Sequence, residues 1–430
     1  MAVRETTSRN APRTKGGPIK DAATQLRDDR GMSSAVYRSL RQAAAESAAL
    51  LESDKPKARS SRTPRTPRTP RRHQVRLTKL VRTLRIRCPM PRADTLLDPA
   101  LDAVHQAAIV CRHVQLRLHE MRAMTKDDRS PVTIADFAAQ AIVAAILAEA
   151  DAAIPLVGEE SAEFLRQSEH AAHLAATVLA LRDSGVWPDA TEADVLAAVD
   201  RGSAQPAAAG FFTLDPVDGT KGFLRAEQYC VCLAYIRQGI VELGVLGCPN
   251  LAPHLVPGAD LQAVSSTGST YWAIKGDGAM MAFDAPGESA TVETNIERPD
   301  VCITDPARLA ESVEIAHTRQ DLSARIVALA SPAGVLAPVR IDSQCKYAVV
   351  ARGDADVYLR LPSRKGYVER IWDHAAGTLI AAEAGCIVSD AAGLPLDFSQ
   401  GKGLERNTGI VAAPPSLHAR LIQAIGTLNS

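Results

Sequence analysis

The segment Leu214-Asp215-Pro216-Val217-Asp218-Gly219-Thr220 sets two carboxylates three residues apart, directly behind the apolar run Phe211-Phe212. That run should bury its end, and carboxylates crowded there repel one another and lose hydration. A hard divalent cation resolves the conflict, because magnesium takes oxygen ligands: one or two carboxylates, waters and a substrate phosphate. With Pro216 fixing the turn, Asp215, Asp218 and the Val217 carbonyl can face one centre, and Gly219 lets the backbone come close. The amides of Gly219 and Thr220 then meet a phosphate oxygen at a helix start. A plain turn remains open as a reading, since Asp, Pro and Gly are turn residues.

Three further segments end an apolar run or turn on an acid: Asp136 in VTIADF, Glu159 in VGEES and Asp373 in IWDHAAG. Each has an ordinary explanation by itself. Asp373 suits a helix N-cap, Asp136 a first-turn acid complementing the helix dipole, and Glu159 with Glu160 a solvated turn. As a set they suit a shared cation cluster better. Two rival chemistries fail on spacing. A covalent aspartyl-phosphate mechanism needs an Asp two residues before the second acid, where Pro216 stands. An EF-hand loop needs oxygen side chains where Pro216 and Val217 fall.

The elements that must carry these acids are legible from periodicity. LLDPALDAVHQAAIVCRHVQLRLHEM has apolar spacings of three and four and predicts a helix. SPVTIADFAAQAIVAAILAEA predicts a second, with Pro131 at its start and Asp136 near its first turn. IPLVGEES predicts a short strand ending in acids, and residues 162–205 read as helices and loops. FFTLDPVDG predicts a strand. QYCVCLAYIRQGIVELGVLGCPN predicts a hairpin turning at Gln238-Gly239, and TYWAIKGDGAMMAF a further strand pair. Helices and strands alternate over 300–360, and WDHAAGTLIAAEAGC predicts a helix closed by Gly385. This alternation implies a layered α/β architecture.

The chain has 430 residues, 46% of them apolar and 23% charged, which is ample for a large core. Its net charge of zero hides a split. Residues 1–92 carry 23 Lys+Arg against 7 Asp+Glu, leaving 26 basic and 42 acidic residues in the body. The acidic body is a poor candidate for nucleic-acid binding through bulk charge, and it needs cations to handle a polyanion. Arg-Thr-Pro repeats three times in the arm, and Pro at every third position blocks helix and sheet. Residues 1–92 are therefore expected to be a disordered basic extension, with a local helix over AVYRSLRQAAAESAALLES. It suits a transit peptide, a nucleic-acid-contacting tail, a proline-directed phosphorylation target or sequence upstream of the true start.

Eight scattered Cys without a CxxC pair read as reduced thiols rather than a disulfide frame or zinc site. Cys230, Cys232 and Cys248 are expected in the core. No membrane span is expected either. The apolar stretch AAQAIVAAILAEADAAIPLV is interrupted by Gln140, Glu149 and Asp151, and no secretory signal shows at Met1.

GEES, LDPVDGTKGF and WDHAAG, in that order, resemble the magnesium-dependent, lithium-sensitive phosphatases related to inositol monophosphatase. Within them the chain resembles the 3′(2′),5′-bisphosphate nucleotidases over about residues 95–425. Three features carry the finer likeness: Lys221-Gly222-Phe223 where monophosphatases usually have Asn before the Phe, DSQCKYAVVARGDADVYLRLP, and DRSPVTIADFAAQ. The long interval from Glu159 to Asp215 agrees with it.

The resemblance implies an αβαβα sandwich of the inositol monophosphatase and fructose-1,6-bisphosphatase type, divided into 93–290 with the metal site and 291–430 with nucleotide contacts. It implies Glu159, Asp215, Asp218, Asp373 and the Val217 carbonyl as ligands of two or more Mg2+. Asp136 is implied as proton acceptor, paired with the Thr220 hydroxyl, and Gly219 and Thr220 as phosphate contacts. Ser343, Lys346, Arg360 and His317 are implied as nucleotide contacts. Cys345 departs from the relatives' usual Ala and exposes the site to thiol reagents. The implied reaction removes the 3′-phosphate of adenosine 3′,5′-bisphosphate or 3′-phosphoadenylyl sulfate by direct attack of an activated water.

An inositol phosphate phosphatase on the same scaffold would share every metal ligand and stays open as the alternative. A catalytically silent nucleotide sensor is a rival of another class. The expected compartment is cytoplasmic, or plastid or mitochondrial where the arm is a transit peptide.

Overall fold

The computed structural model describes residues 92–118, 130–253, 265, 267–284, 291–313, 320–362, 364 and 366–429. The basic arm before Arg92 and His317 lie outside the described residues.

Helices α1 (Ala93–Leu116) and α2 (Ser130–Asp151) open the body, followed by β1 (Leu156–Gly158). Helices α3 (Ala162–Arg166), α4 (Ala171–Asp183) and α5 (Glu192–Arg201) lead to β2 (Phe211–Asp218) and the short α6 (Thr220–Leu224). Strands β3 (Cys230–Arg237), β4 (Ile240–Cys248), β5 (Ser269–Ile274), β6 (Ala279–Asp284) and β7 (Thr291–Ile296) complete a seven-stranded sheet in sequential order. Only β1–β2 is parallel; the other neighbours are antiparallel.

A second sheet takes β8 (Leu309–Glu311), β9 (Val339–Arg340), β10 (Val357–Arg360), β11 (Ile387–Ser389) and β12 (Ile410–Ala413), in the order β11-β12-β10-β8-β9. Its helices are α7 (Gln320–Ala330), α8 (Cys345–Ala351), α9 (Ala375–Glu383) and α10 (Pro415–Asn429).

Strand alternation explains the layers. Successive side chains point to opposite faces, so Phe212, Val231, Leu233 and Tyr235 enter a core shared with α1 and α2. Phe211, Cys230, Cys232, Ala234 and Ile236 enter a second core, shared with α8 and α9 and with Tyr358, Ile410 and Ala412 of the second sheet. Val357, Leu359, Val411 and Ala413 point the other way, into a third core with α7 and α10. Three cores between five layers make the αβαβα sandwich. Gly244 is needed for the middle layer: a Cβ there would lie 2.8 Å from the Ala376 carbonyl oxygen, so only glycine admits α9 this close.

One expectation shifts. Residues 291–296 form the last strand of the first sheet, so the passage to the second sheet follows Ile296 rather than residue 290. The physical reason is the pairing of β7 with β6, which extends the antiparallel meander by one strand. In α2, Val132–Asp151 is long and apolar enough to cross a membrane. Its Ile134, Ala135, Phe137, Ala138 and Ala141 are instead buried in the first core, which makes it a core helix.

Candidate active site

Parallel pairing of β1 and β2 brings the first two acids together. Gly158 is in register with Leu214, so the next residues, Glu159 and Asp215, leave the two strands side by side. The Glu159 amide donates to the Leu214 carbonyl at 3.2 Å, tying the chains at that point. Along β2 the ladder to β3 is interrupted between Asp215 and Asp218. Pro216 has no N–H to offer, and the resulting bulge re-aims Asp218 toward the same centre. Gly219 follows with φ +94°, and a Cβ on it would meet the Ser343 Cβ at 2.9 Å, so the turn demands glycine twice over.

Asp218 is fixed from the second half of the chain, where the Gln344 amide donates to its Oδ2 at 2.6 Å. Gln344 also donates from Nε2 to the Trp372 carbonyl and accepts the Gly377 amide. One side chain thereby locks the Asp373 turn to the start of α9. Asp373 is not the cap of that helix. His374 holds the cap position, and it makes no side-chain cap bond. Asp373 is free to face the cluster.

Glu159, Asp215, Val217, Asp218, Gly219, Thr220, Ser343, Lys346, Arg360 and Asp373 all line one cavity of about 510 Å3. Segments more than 200 residues apart in sequence meet there. Asp136 is not among the lining residues, although its charge bears on Asp215. It stands in the second turn of α2 rather than the first, because the helix begins at Ser130. Thr220 lines the cavity and is exposed, but the expected Asp136–Thr220 hydrogen bond is absent among the described residues. Asp136 sits instead in the field of Glu160 and Glu159.

The electrostatics is that of an anion cluster short of positive charge. Burial, then Glu159, Asp218, Asp373 and Asp136, push the Asp215 carboxyl well above its usual range. Burial, then Asp373 and Glu160, raise Glu159 to about 7, although its hydrogen bond with Asp215 opposes this. Asp218 is raised by burial, Cys230 and Asp373 against the pull of Lys346 and the Gln344 amide. Asp373 is raised by burial against His374 and Arg360. Asp215 is only 3% exposed, and its Oδ1 has no hydrogen-bond partner among the described residues. Oxygen-only donors, mutual repulsion and an orphaned buried carboxylate oxygen together fit a hard divalent cation.

These shifts fix a pH dependence. A carboxyl whose folded pKa is raised stabilises the fold below its unfolded value, and that contribution is lost as pH rises through the folded value. For Glu159 the window runs from 4.5 to about 7. The metal-free protein is therefore expected to lose stability across that window. A saturating cation restores about 3 kcal/mol, a rise in melting temperature of roughly 5 °C or more. Differential scanning fluorimetry with magnesium and with EDTA should show the magnesium shift growing from pH 5 to pH 8. An equal shift at both pH values would contradict a carboxylate site.

The same cavity is also lined by cations, among them buried Lys346 and partly buried Arg360. Lys346 is 3% exposed, donates from Nζ to the Ile341 carbonyl at 3.3 Å and stands 5.4 Å from the Tyr358 ring centroid. Burial lowers its pKa, against Asp218 and Asp342. Arg360 donates from Nε to Glu369 Oε1 at 2.8 Å. Glu369 continues to His374 Nε2 at 3.1 Å, and His374 Nδ1 to the Tyr347 hydroxyl at 2.9 Å. Burial by itself would raise Glu369; His374 and Arg360 overcome it and hold the carboxyl at about 2. Ser343 has φ +66°, a left-handed non-glycine, and its hydroxyl donates to the Asp342 carbonyl.

Residue types and spacing did not single out Gln140, Gln344, Glu369 or Tyr367. Gln140 is fully buried, donates to the Glu160 carbonyl at 2.8 Å and accepts the Glu160 amide at 3.1 Å. A Cβ on Gly158 would sit 2.3 Å from its Oε1, so the strand end is shaped around this amide. A buried Gln amid the apolar residues of α2 was the available signal. Gln140→Leu leaves the Glu160 amide and carbonyl unpaired. It should cost about 2–4 kcal/mol, read by urea unfolding, and weaken the magnesium shift. Unchanged stability would contradict the clamp.

Fold and site together define a metal-dependent phosphoric monoester hydrolase. A model of the inositol monophosphatase family matches residues 94–430, and the chain belongs to that family. Magnesium dependence is general in it. The 3′(2′),5′-bisphosphate nucleotidase of Oryza sativa is 40% identical over 348 residues, 76% of this chain and 93% of that protein. The 3′(2′),5′-bisphosphate nucleotidase of Schizosaccharomyces pombe is 36% identical over 351 residues, 77% and 95% respectively. A probable 3′(2′),5′-bisphosphate nucleotidase 4 of Arabidopsis thaliana is 40% identical over 342 residues, 76% and 93%.

Proposed function

We propose that the chain hydrolyses the 3′-phosphate of adenosine 3′,5′-bisphosphate to AMP and phosphate, and acts likewise on 3′-phosphoadenylyl sulfate. The observation that carries this reading is one cavity lined both by four acids, Glu159, Asp215, Asp218 and Asp373, and by the cations Lys346 and Arg360. A substrate with two phosphates uses both the acids, through their cations, and Lys346 with Arg360. A monophosphate leaves one of the two groups unused.

Glu159, Asp215, Asp218, Asp373 and the Val217 carbonyl would hold two or more Mg2+. Bound magnesium supplies charge neutralisation and an acidified water. The chain does the rest. The amides of Gly219 and Thr220 hold oxygens of the reacting phosphate. Lys346 and Arg360 hold the 5′-phosphate, and Ser343 lines the same cavity. Asp136 does not line the cavity, although its charge bears on Asp215. It is the acceptor the family resemblance implies, directly or through Thr220, for the proton of the water that attacks phosphorus in line with the leaving 3′-oxygen. The division of labour between the acid-bearing and cation-bearing halves belongs to the same proposal. So does the reading of the arm as an address; deleting residues 1–92 and following location tests it.

Steady-state phosphate release is expected to show kcat/KM at least about 100-fold higher for adenosine 3′,5′-bisphosphate than for inositol 1-phosphate, with lithium inhibiting both. Equal values would support the inositol phosphatase reading, and binding without turnover a sensor.

A further inference from the structure

Behind the acids, the second core holds four thiols that no step of the reaction uses. Cys230 and Cys232 lie two apart on β3 and so share a face. Cys248 ends β4 beside them, and Cys345 opens α8 above them. All four are buried. The Cys230 and Cys232 sulfurs are 3.2 Å apart, and the Sγ atoms of Cys230, Cys248 and Cys345 all lie within 4.8 Å of one another. Dispersed sequence positions hid this convergence, because it is made by strand pairing and by the packing of α8 on the sheet.

We propose that Cys230, Cys248 and Cys345 form a three-sulfur site for a soft d10 cation, of the cadmium, zinc or copper(I) class, set against the catalytic acids. With metal–sulfur bonds of about 2.3 Å, a trigonal site needs sulfurs roughly 4 Å apart, which small side-chain adjustments from the observed spacing supply. Thiolates select soft cations and carboxylates select hard ones, so the two neighbouring sites discriminate by ligand type. Each ligating thiol releases its proton to solvent as the cation binds, and no electrons are transferred.

Occupancy reaches the active site by two contacts. Asp218 Oδ2 is 3.9 Å from the Cys230 and Cys232 sulfurs. Cys345 directly follows Gln344, whose amide holds the same oxygen. A cation drawing Cys230 and Cys345 inward pulls on Asp218 from both sides. The inhibition expected is therefore not relieved by magnesium.

The test is a cadmium titration of the full reduced chain in excess magnesium, read by the ultraviolet thiolate-to-cadmium charge-transfer band and, separately, by phosphate release. The band should saturate at one cadmium per chain. Activity should fall in parallel, recovering with a dithiol chelator but not with added magnesium. Cys248→Ala should keep basal activity and weaken cadmium binding at least tenfold; exposed Cys302→Ser should change neither. Cys345→Ala is the second variant if Cys248→Ala fails to fold, with the same loss of the band expected. No band, a band unchanged in both thiol variants, or cadmium displaced by magnesium would overturn the proposal. The band is independent of which phosphate ester is the substrate, so its failure is distinguishable from failure of the proposed reaction.

Discussion

Asp215→Asn should reduce phosphate release at least about 10³-fold while leaving the metal-free protein as stable as the parent, or more so, at pH 8. The two halves of this result come from one cause. Asp215 is the member of the cluster on which all the others bear: Glu159, Asp218, Asp373 and Asp136 each raise its carboxyl. Without a cation its charge is a liability in a buried site. Replacing it by a neutral amide removes that repulsion and lets the new N–H group donate to Glu159. With a cation its charge is what holds the metal, and losing it forfeits several kcal/mol of transition-state stabilisation, at 1.36 kcal/mol per tenfold in rate. The magnesium-induced rise in melting temperature should vanish in the same variant. A ligand acid and a merely structural Asp differ here: a structural Asp would lose stability on substitution and keep its magnesium response.

The second large effect concerns choice of substrate. Arg360→Gln should lower kcat/KM for adenosine 3′,5′-bisphosphate about 100-fold and for inositol 1-phosphate by no more than a few-fold. Arg360 is far from the turn that carries Asp215 in sequence, yet it lines the same cavity, oriented by Glu369 and by the Tyr367 hydroxyl at 3.4 Å. A charge-assisted bond to phosphate in such a site contributes roughly 1.5–3 kcal/mol, about one to two decades in affinity. Losing Arg360 also leaves Glu369 with His374 as its remaining partner among the described residues. The double variant Arg360→Gln, Glu369→Gln separates the two causes. It should recover stability without recovering preference for the bisphosphate. Equal losses on both substrates would place Arg360 in the scaffold instead.

The acids were legible in the sequence because each closes its own apolar segment, and local chemistry demands an explanation for a carboxylate there. The layered α/β class was legible in the alternation of helical and strand periods, and the five-layer order came through resemblance. What holds the acids in place was not legible. Gln140 reaches the Glu160 backbone, Gln344 reaches Asp218 and the Asp373 turn, and Glu369 links Arg360 to His374. Each joins segments that meet only after folding, and a lone Gln or Glu carries no local mark of its partner. The thiols show the same limit from the other side. Alternation placed Cys230 and Cys232 on one face, but nothing local brings Cys345 over them. Asp136 was assigned a partner in Thr220 through resemblance; among the described residues no hydrogen bond joins the two, and the charges of Glu160 and Glu159 bear on Asp136.

The most direct test is phosphorus NMR of adenosine 3′,5′-bisphosphate turned over with magnesium in oxygen-18 water. The 3′ resonance should disappear, 5′-AMP should accumulate, and the released phosphate should carry one heavy oxygen from solvent. Survival of the 3′ ester, with the 5′-phosphate lost or neither cleaved, would contradict the assignment of the four acids to the 3′-phosphate.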